Sequence, residues 1–266
     1  MSIDQATGVV CAGNMRYGVP ELSMRDINAP ITIELVSKAF PEAVRAAGAD
    51  VLLVQEVGRM QMPAVARASG LMHMAFGPMF DPFLERRSEN NLGVGVFAKW
   101  PVQEVRRVAY GLFDVLFPDN WQGANRNRAQ RCELLLAKIG VPWHPEPVWF
   151  STTHFMMSRQ LQCEPNHLAT MENLVEATFG HQPLLHSMDA NQDMGGDAWE
   201  LLVREGRFES YVPPDLQTTF DPTSPGVKKG LVAVIDWLLG RGLPRPYVEQ
   251  VFGVSDHSMY VAHFPA

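Results

Sequence analysis

The sequence predicts an α/β protein in which two packed β-sheets are flanked by helices. Three observations predict it. Short apolar, β-branched runs of strand length recur along the chain, and several are nearly continuous in hydrophobicity, as strands buried on both faces are. Helical periodicity occupies only a few stretches between them. The 21 Gly and 20 Pro are spread along the chain, which divides it into many short elements joined by tight turns.

The predicted strands are Gly8–Gly13, Val51–Val54, Gly93–Ala98, Leu134–Ile139, Val148–Thr152, Pro183–Met188, Val232–Leu238 and Met259–Phe264. Met72–Phe80 reads as a further core strand and turn. Ile33–Ala47 has helix spacing and stops at Gly48, with Pro41 kinking it or splitting it in two. Pro63–Ala68 is a short helix with proline near its start. Glu164–Phe179 is the clearest helix, with Leu168, Met171, Leu174 and Val175 along one side, and Ala198–Glu205 is another short one. Tyr110–Arg128 and Pro213–Gly230 are the richest loops, and long loops in compact domains tend to carry function. No repeat, charge block or low-complexity linker divides the 266 residues, so a single domain over 1–266 is expected.

Composition narrows the classes. The net charge of -7 supplies no global basic field for coating nucleic acid, although a divalent ion at an acidic site would reverse the local sign. Cys11, Cys132 and Cys163 are odd in number and lack CxxC spacing, which suggests neither a disulfide framework nor a zinc site. The N-terminus lacks the pattern of a secretory signal. No segment approaches the roughly 18 uninterrupted apolar residues of a membrane span. A cytoplasmic location with no obligatory protein partner is the expectation.

Residues with chemical potential cluster at strand ends. Asn14 follows the run Val9–Gly13, and Glu56 follows Val51–Gln55. His154 ends an apolar strand. Asp189 and Asn191 are two residues apart, which puts both on one face of an extended segment. Asp236 interrupts an apolar strand, where a carboxylate is costly unless paired, and a histidine is a natural partner. Asp256 and His257 stand side by side before the last strand. Each alone also fits a turn, a cap or a satisfied structural side chain.

Their order is more specific. Asn14, then Gln55-Glu56, Thr153-His154, Asp189-x-Asn191, Ile235-Asp236-Trp237 and Ser255-Asp256-His257 together resemble the motif series of the endonuclease/exonuclease/phosphatase superfamily. Pancreatic-type deoxyribonucleases, apurinic-site endonucleases, neutral sphingomyelinases and inositol polyphosphate 5-phosphatases belong to it. Asn91–Pro101 is similar to the family's glycine-rich strand leading to a proline turn. The resemblance runs from Val9 to Phe264 and implies a four-layer αββα sandwich of two mixed sheets.

The resemblance also implies roles. Glu56 matches the principal metal-ligand glutamate, with Asn14 and Asp256 completing an oxygen-rich shell suited to Mg²⁺ or Mn²⁺. His257 matches the histidine that contacts the scissile phosphate near the attacking water, and Asp236 the acid that orients it. Asp189 and Asn191 match the pair that positions the nucleophile and steadies the phosphate. His154 matches a second histidine implicated in phosphate binding or leaving-group protonation. Its glutamate partner is Glu85 or Glu89, between which the sequence does not choose. Arg131 occupies a position where many members carry a basic residue, and reads equally as a phosphate contact or a solvated strand-edge arginine.

The departures are local. The family's Gly-Asp-Phe-Asn is here Met188-Asp189-Ala190-Asn191, where Met188 is expected to crowd a turn that glycine relaxes. The inositol-phosphatase Trp-x-Gly-Asp-x-Asn-Tyr-Arg motif and the extra motifs of apurinic-site enzymes are lacking. The implied activity is metal-dependent hydrolysis of a phosphate ester, with DNA or RNA as the leading substrate. Loop Trp121–Arg128 mixes an aromatic with arginines and asparagines, which suits base stacking and phosphate contact and equally an ordinary surface loop. A small-molecule or lipid-headgroup phosphatase and a non-catalytic protein on the same scaffold are the other readings.

Overall fold

The computed structural model describes residues 6–15, 38–79, 92–116, 127–155, 180, 182–191, 194, 199–204, 207–222 and 233–265, with only the backbone at 6–7, 109–116, 127–132 and 201. The described strands are β1 (Ala6–Asn14), β2 (Val51–Gly58), β3 (His73–Pro78), β4 (Leu92–Ala98), β5 (Val102–Leu116), β6 (Asn127–Ile139), β7 (Val148–His154), β8 (Leu184–Asp189), β9 (Glu209–Ser210), β10 (Asp236–Arg241), β11 (Tyr247–Val251) and β12 (Met259–Pro265). They form two mixed sheets, ordered β11-β12-β1-β2-β4-β3 and β5-β6-β7-β8-β10-β9. Helices α1 (Ala39–Ala46) and α2 (Met62–Ser69) pack on the first sheet. The predicted two-sheet sandwich is the observed architecture.

Strand alternation builds the core. Along β1 and β2, Val10, Ala12, Val51 and Leu53 face the second sheet, while Cys11, Leu52 and Val54 face α1 and α2. On the second sheet, Leu135, Ala137, Phe150, Leu185 and Leu238 meet them from the other side. Leu134, Leu136, Trp149, Leu184, Trp237 and Leu239 form a separate cluster on its outer face. Each such side chain, fully buried, contributes about 1.5–3 kcal/mol of transfer free energy, so a register slip of one residue would expose an entire face.

The elements differ from expectation at the edges. α1 begins at Ala39 and accommodates Pro41 in its first turn, where a missing N–H costs nothing. Pro63 lies at the start of α2, whose C-terminus is closed by Gly70 at φ 81°. Residues 110–116 and 127–128, expected in a loop, are strand. β5 and β11 are edge strands of alternating polar character, which a search for apolar runs passes over. β3 is likewise an edge strand with His73 and Met74 exposed, rather than a core strand. Glu200–Arg204 is a π-helical turn instead of an α-helix. The predicted helix Glu164–Phe179, the tip of the Tyr110–Arg128 loop, Glu85 and Glu89 lie outside the described residues.

Candidate active site

The same alternation that fills the core assembles a polar rim. Asn14 continues the inward series Val10, Ala12 on β1. Thr152 and His154 continue Val148, Phe150 on β7, and Ser187 and Asp189 continue Leu185 on β8. Asp236 precedes inward-facing Leu238 by two. Backbone pairing sets His154 against Asp189 and Asp189 against Asp236, so three functional side chains form a row across adjacent strands.

Glu56 breaks the rule. Gln55 takes the inward position after Leu53, so regular alternation would turn Glu56 outward. A bulge between Val54 and Val57, with Glu56 at φ 53°, brings both side chains toward the second sheet. A left-handed glutamate costs about 1–3 kcal/mol, strain typical of a functional position. Asn191 carries the other described non-glycine positive φ, 50°. Met188, expected to crowd its turn, pairs in regular register and packs on the outer face, leaving the irregular backbone to Asn191.

Two linked clusters result. In the first, Glu56 Oε1 is 3.2 Å from His154 Nε2, which is 3.5 Å from Asp189 Oδ2. Asn14 Nδ2 donates to both carboxylates, at 3.1 Å to Glu56 and 2.9 Å to Asp189. In the second, His257 Nδ1 donates to Asp236 Oδ2 at 2.7 Å. One donor atom from each of Asp189, Asp236 and His257 lies within 4.8 Å of the others, so Asp189 belongs to both clusters. Asn191 completes the rim, its N–H donating to Asp189 Oδ1 at 2.9 Å and its amide to the Phe155 carbonyl at 2.6 Å.

Burial and charge tune these groups. Burial acts to raise Glu56, but the hydrogen bond and charge of His154, with the Asn14 amide, outweigh it and leave the carboxyl below its usual range. Burial acts to lower His154, and Asp189 and Glu56 together raise it. Asp189 is pushed up to about 6, by burial first and by the Asp236 charge after the opposing pull of His154. For His257, burial opposes the charged ring, yet the Asp236 charge and hydrogen bond carry it up to about 10. Another buried histidine, His186, hydrogen-bonds Ser151 on the outer face, where burial pushes it down to about 4.

The other expected residues are placed as follows. Asp256 lies in the loop before β12, accepts a hydrogen bond from Ser255, and adds to the charge that raises His257, but it joins neither cluster. The carboxylate beside Glu56 is Asp189 instead. Arg131 pairs through its backbone with Leu112, and its side chain lies outside the described residues. Asp236 is the first residue of its strand rather than an interior one, because Ala233 and Ile235 bond to Thr219 and Ala190 instead of to a ladder.

Beneath the rim is a layer the sequence reading did not assign a role. Fully buried Gln55 donates to Thr152 Oγ1 at 2.8 Å and to Ser187 Oγ at 3.1 Å, bridging the two sheets. Three polar residues each two positions beyond an inward apolar one were the available signal.

No family model and no curated protein matches the sequence. Solved structures do. An endonuclease/exonuclease/phosphatase from Beutenbergia cavernae superposes with a TM-score of 0.65 at 17% identity, over 97% of this chain and 72% of that one. A mannosyl-6-phosphatase from Bacteroides thetaiotaomicron gives 0.67 at 12% identity, over 98% and 100%. Sphingomyelinase C from Streptomyces griseocarneus gives 0.60 at 14% identity, over 96% and 98%. Likeness over nearly the whole chain, with two mixed sheets that have six strands each among the described residues, establishes that the protein has the fold of the endonuclease/exonuclease/phosphatase superfamily.

Proposed function

We propose that the protein is a divalent-metal-dependent hydrolase of phosphate esters, foremost a phosphodiesterase acting on DNA or RNA. The observation that carries this reading is the meeting, at Asp189, of an oxygen-rich cluster and a buried His–Asp couple. The donor set fits a hard cation. Glu56 and Asp189 stand side by side with an amide, and Asp236 Oδ1 is buried without a hydrogen-bond partner. Glu56 and Asn14, both expected ligands, would hold Mg²⁺ or Mn²⁺ together with Asp189, which stands within 4.8 Å of Glu56, whereas Asp256 lies outside that cluster. The ion, when bound, would supply positive charge against the phosphate oxygens.

The chain's own residues supply the rest. Asp236 occupies His257 Nδ1, which fixes the tautomer and leaves Nε2 to exchange a proton or bond a phosphate oxygen. Asp189, raised by burial toward neutrality, suits acceptance of a proton from an attacking water. Asn191 holds Asp189 Oδ1 from the flanking turn. His154, raised by Asp189 and Glu56 against the effect of burial, suits phosphate binding or protonation of the leaving oxygen.

A small-molecule or lipid-headgroup substrate is the second reading. The net charge of -7 favours it, as do a sugar phosphatase and a sphingomyelinase among the structural neighbours. Assaying the protein with Mg²⁺ on plasmid DNA, RNA, bis-p-nitrophenyl phosphate and p-nitrophenyl phosphate separates the readings. Cleavage of the polymers and the diester is expected. Turnover of the monoester alone would move the assignment to a phosphatase, and inertness toward all four would remove the catalytic reading.

A further inference from the structure

The Pro213–Gly230 loop, singled out by its length, has described residues that touch both halves of the His257–Asp236 couple. Thr219 is wholly buried in a segment with no strand ladder of its own. Its Oγ1 accepts from the Ile235 N–H at 3.1 Å and the Asp236 N–H at 3.4 Å. Its N–H donates to the Ala233 carbonyl at 3.0 Å. Its own carbonyl accepts from the Ser258 N–H at 2.7 Å and the Ser258 hydroxyl at 3.1 Å. One residue therefore fastens the backbone of Asp236 on one side and the residue after His257 on the other.

Its neighbours extend the fastening. Phe220 bridges to His257 through the backbone and lays its ring against the imidazole, centroids 5.0 Å apart at 56°. The Asp221 N–H donates to the Asp256 carbonyl at 2.8 Å, and its carboxylate accepts from the Gly253 N–H. Gln250 donates to the Thr218 carbonyl and to the Ser258 hydroxyl, tying the strap to β11. Gly13 leaves room for the backbone that follows His257, since a Cβ there would stand 3.2 Å from the Ser258 carbonyl oxygen and the Met259 Cα.

Asp236 and His257 reach the site from separate segments, one opening β10 and the other preceding β12. Their 2.7 Å contact depends on the relative placement of those two backbones. We propose that Thr218–Asp221 is a positioning strap for the couple, with the Thr219 hydroxyl as the fixing group on the Asp236 side and its carbonyl on the His257 side. Thr219 acts through its neighbours and is a positioning residue, not a catalytic one.

The rate part of the test rests on the phosphoesterase reading, and the spectroscopic part rests on geometry alone. Wild type, Thr219→Ser and Thr219→Val are compared for melting, for kcat and KM on bis-p-nitrophenyl phosphate, and for the low-field proton resonance of His257 Nδ1–H, identified by its loss in His257→Ala. Thr219→Val keeps shape but strands two buried N–H groups. It is expected to lower kcat about 10–100-fold with KM within about twofold, as small misplacements of reacting groups do. It should also shift or broaden the resonance, and Thr219→Ser should restore both. An unmoved resonance and wild-type kcat in a folded Thr219→Val overturn the proposal, and so does equal loss in the serine variant. Should Thr219→Val fail to fold, Ser258→Ala releases the other end and must perturb the resonance, or the strap is refuted. An inactive wild type whose resonance still responds to valine and not to serine would defeat the phosphoesterase reading and leave the strap standing.

Discussion

At the scale of single residues, the His257–Asp236 pair joins two buried groups whose separation would be costly. An unpaired carboxylate in the low-dielectric interior is strongly disfavoured, and the imidazolium offsets its own desolvation first through that partner, with Asp189 and Asp256 adding to it. His257→Ala should lower turnover by several orders of magnitude with the fold retained. Asp236→Asn keeps a hydrogen bond but loses the charge and can select the wrong tautomer, so a loss of about 10²–10⁴-fold is expected. A destabilised but fully active Asp236→Asn, read from rate and melting temperature on the same sample, would reduce Asp236 to a structural role. In the metal-free protein the same pairing sets a pH dependence of stability. His257 is raised from 6.5 to about 10 on folding, so the folded state binds more protons across that interval. Its contribution to stability is therefore complete below 6.5 and lost as pH rises toward 10. Denaturant midpoints measured across that range should fall in wild type and flatten in Asp236→Asn. Parallel slopes in the two proteins would contradict the pairing.

At the scale of elements, the site is made by strands that end together and by one bulge. Asn14, His154 and Asp189 were legible in the sequence because each ends an apolar run, and alternation alone puts them between the sheets. Glu56 was legible as a residue but not as a geometry, since the φ of 53° that turns it inward has no local signature in Gln55-Glu56-Val57. β5 and β11 were missed because edge strands alternate polar and apolar side chains instead of running continuously apolar. The Thr219 strap was visible only as a loop, because its bonds are to backbone far away in sequence. Gln55 offers the test at this scale. Gln55→Leu removes two hydrogen bonds worth about 0.5–1.5 kcal/mol each, but also a buried Oε1 with no partner, whose desolvation costs about 1–3 kcal/mol. The terms nearly offset, so stability should change by less than about 2 kcal/mol. Turnover should nevertheless fall about tenfold or more, because the Glu56 layer is no longer tied to His154 and Asp189. Denaturant unfolding and kcat on one preparation decide this, and an unchanged kcat would show that the two sheets hold their spacing without the amide.

At the scale of the whole molecule, the sandwich brings carboxylates from opposite sheets to one rim, Glu56 from the first and Asp189 from the second, although the net charge is already -7. A pair of packed sheets was predictable from the recurrence of short apolar runs, though not the number of strands in each, whereas the fold's family rested on the order of six short motifs. No helix among the described residues is long and apolar enough to cross a membrane. Like charges gathered this way repel unless a cation or protons intervene, and Asp189 is raised by burial first and then by the charge of Asp236 beside it. A divalent ion would relieve the repulsion and supply the charge that phosphate hydrolysis needs. The most direct measurement is turnover of bis-p-nitrophenyl phosphate by wild type and Glu56→Gln, first in excess EDTA and then across a titration of Mn²⁺ or Mg²⁺. No turnover in chelator, recovery on adding metal, and a higher metal requirement in Glu56→Gln are expected. Turnover undiminished in excess EDTA, or identical metal dependence in the two proteins, would rule out a catalytic ion at Glu56.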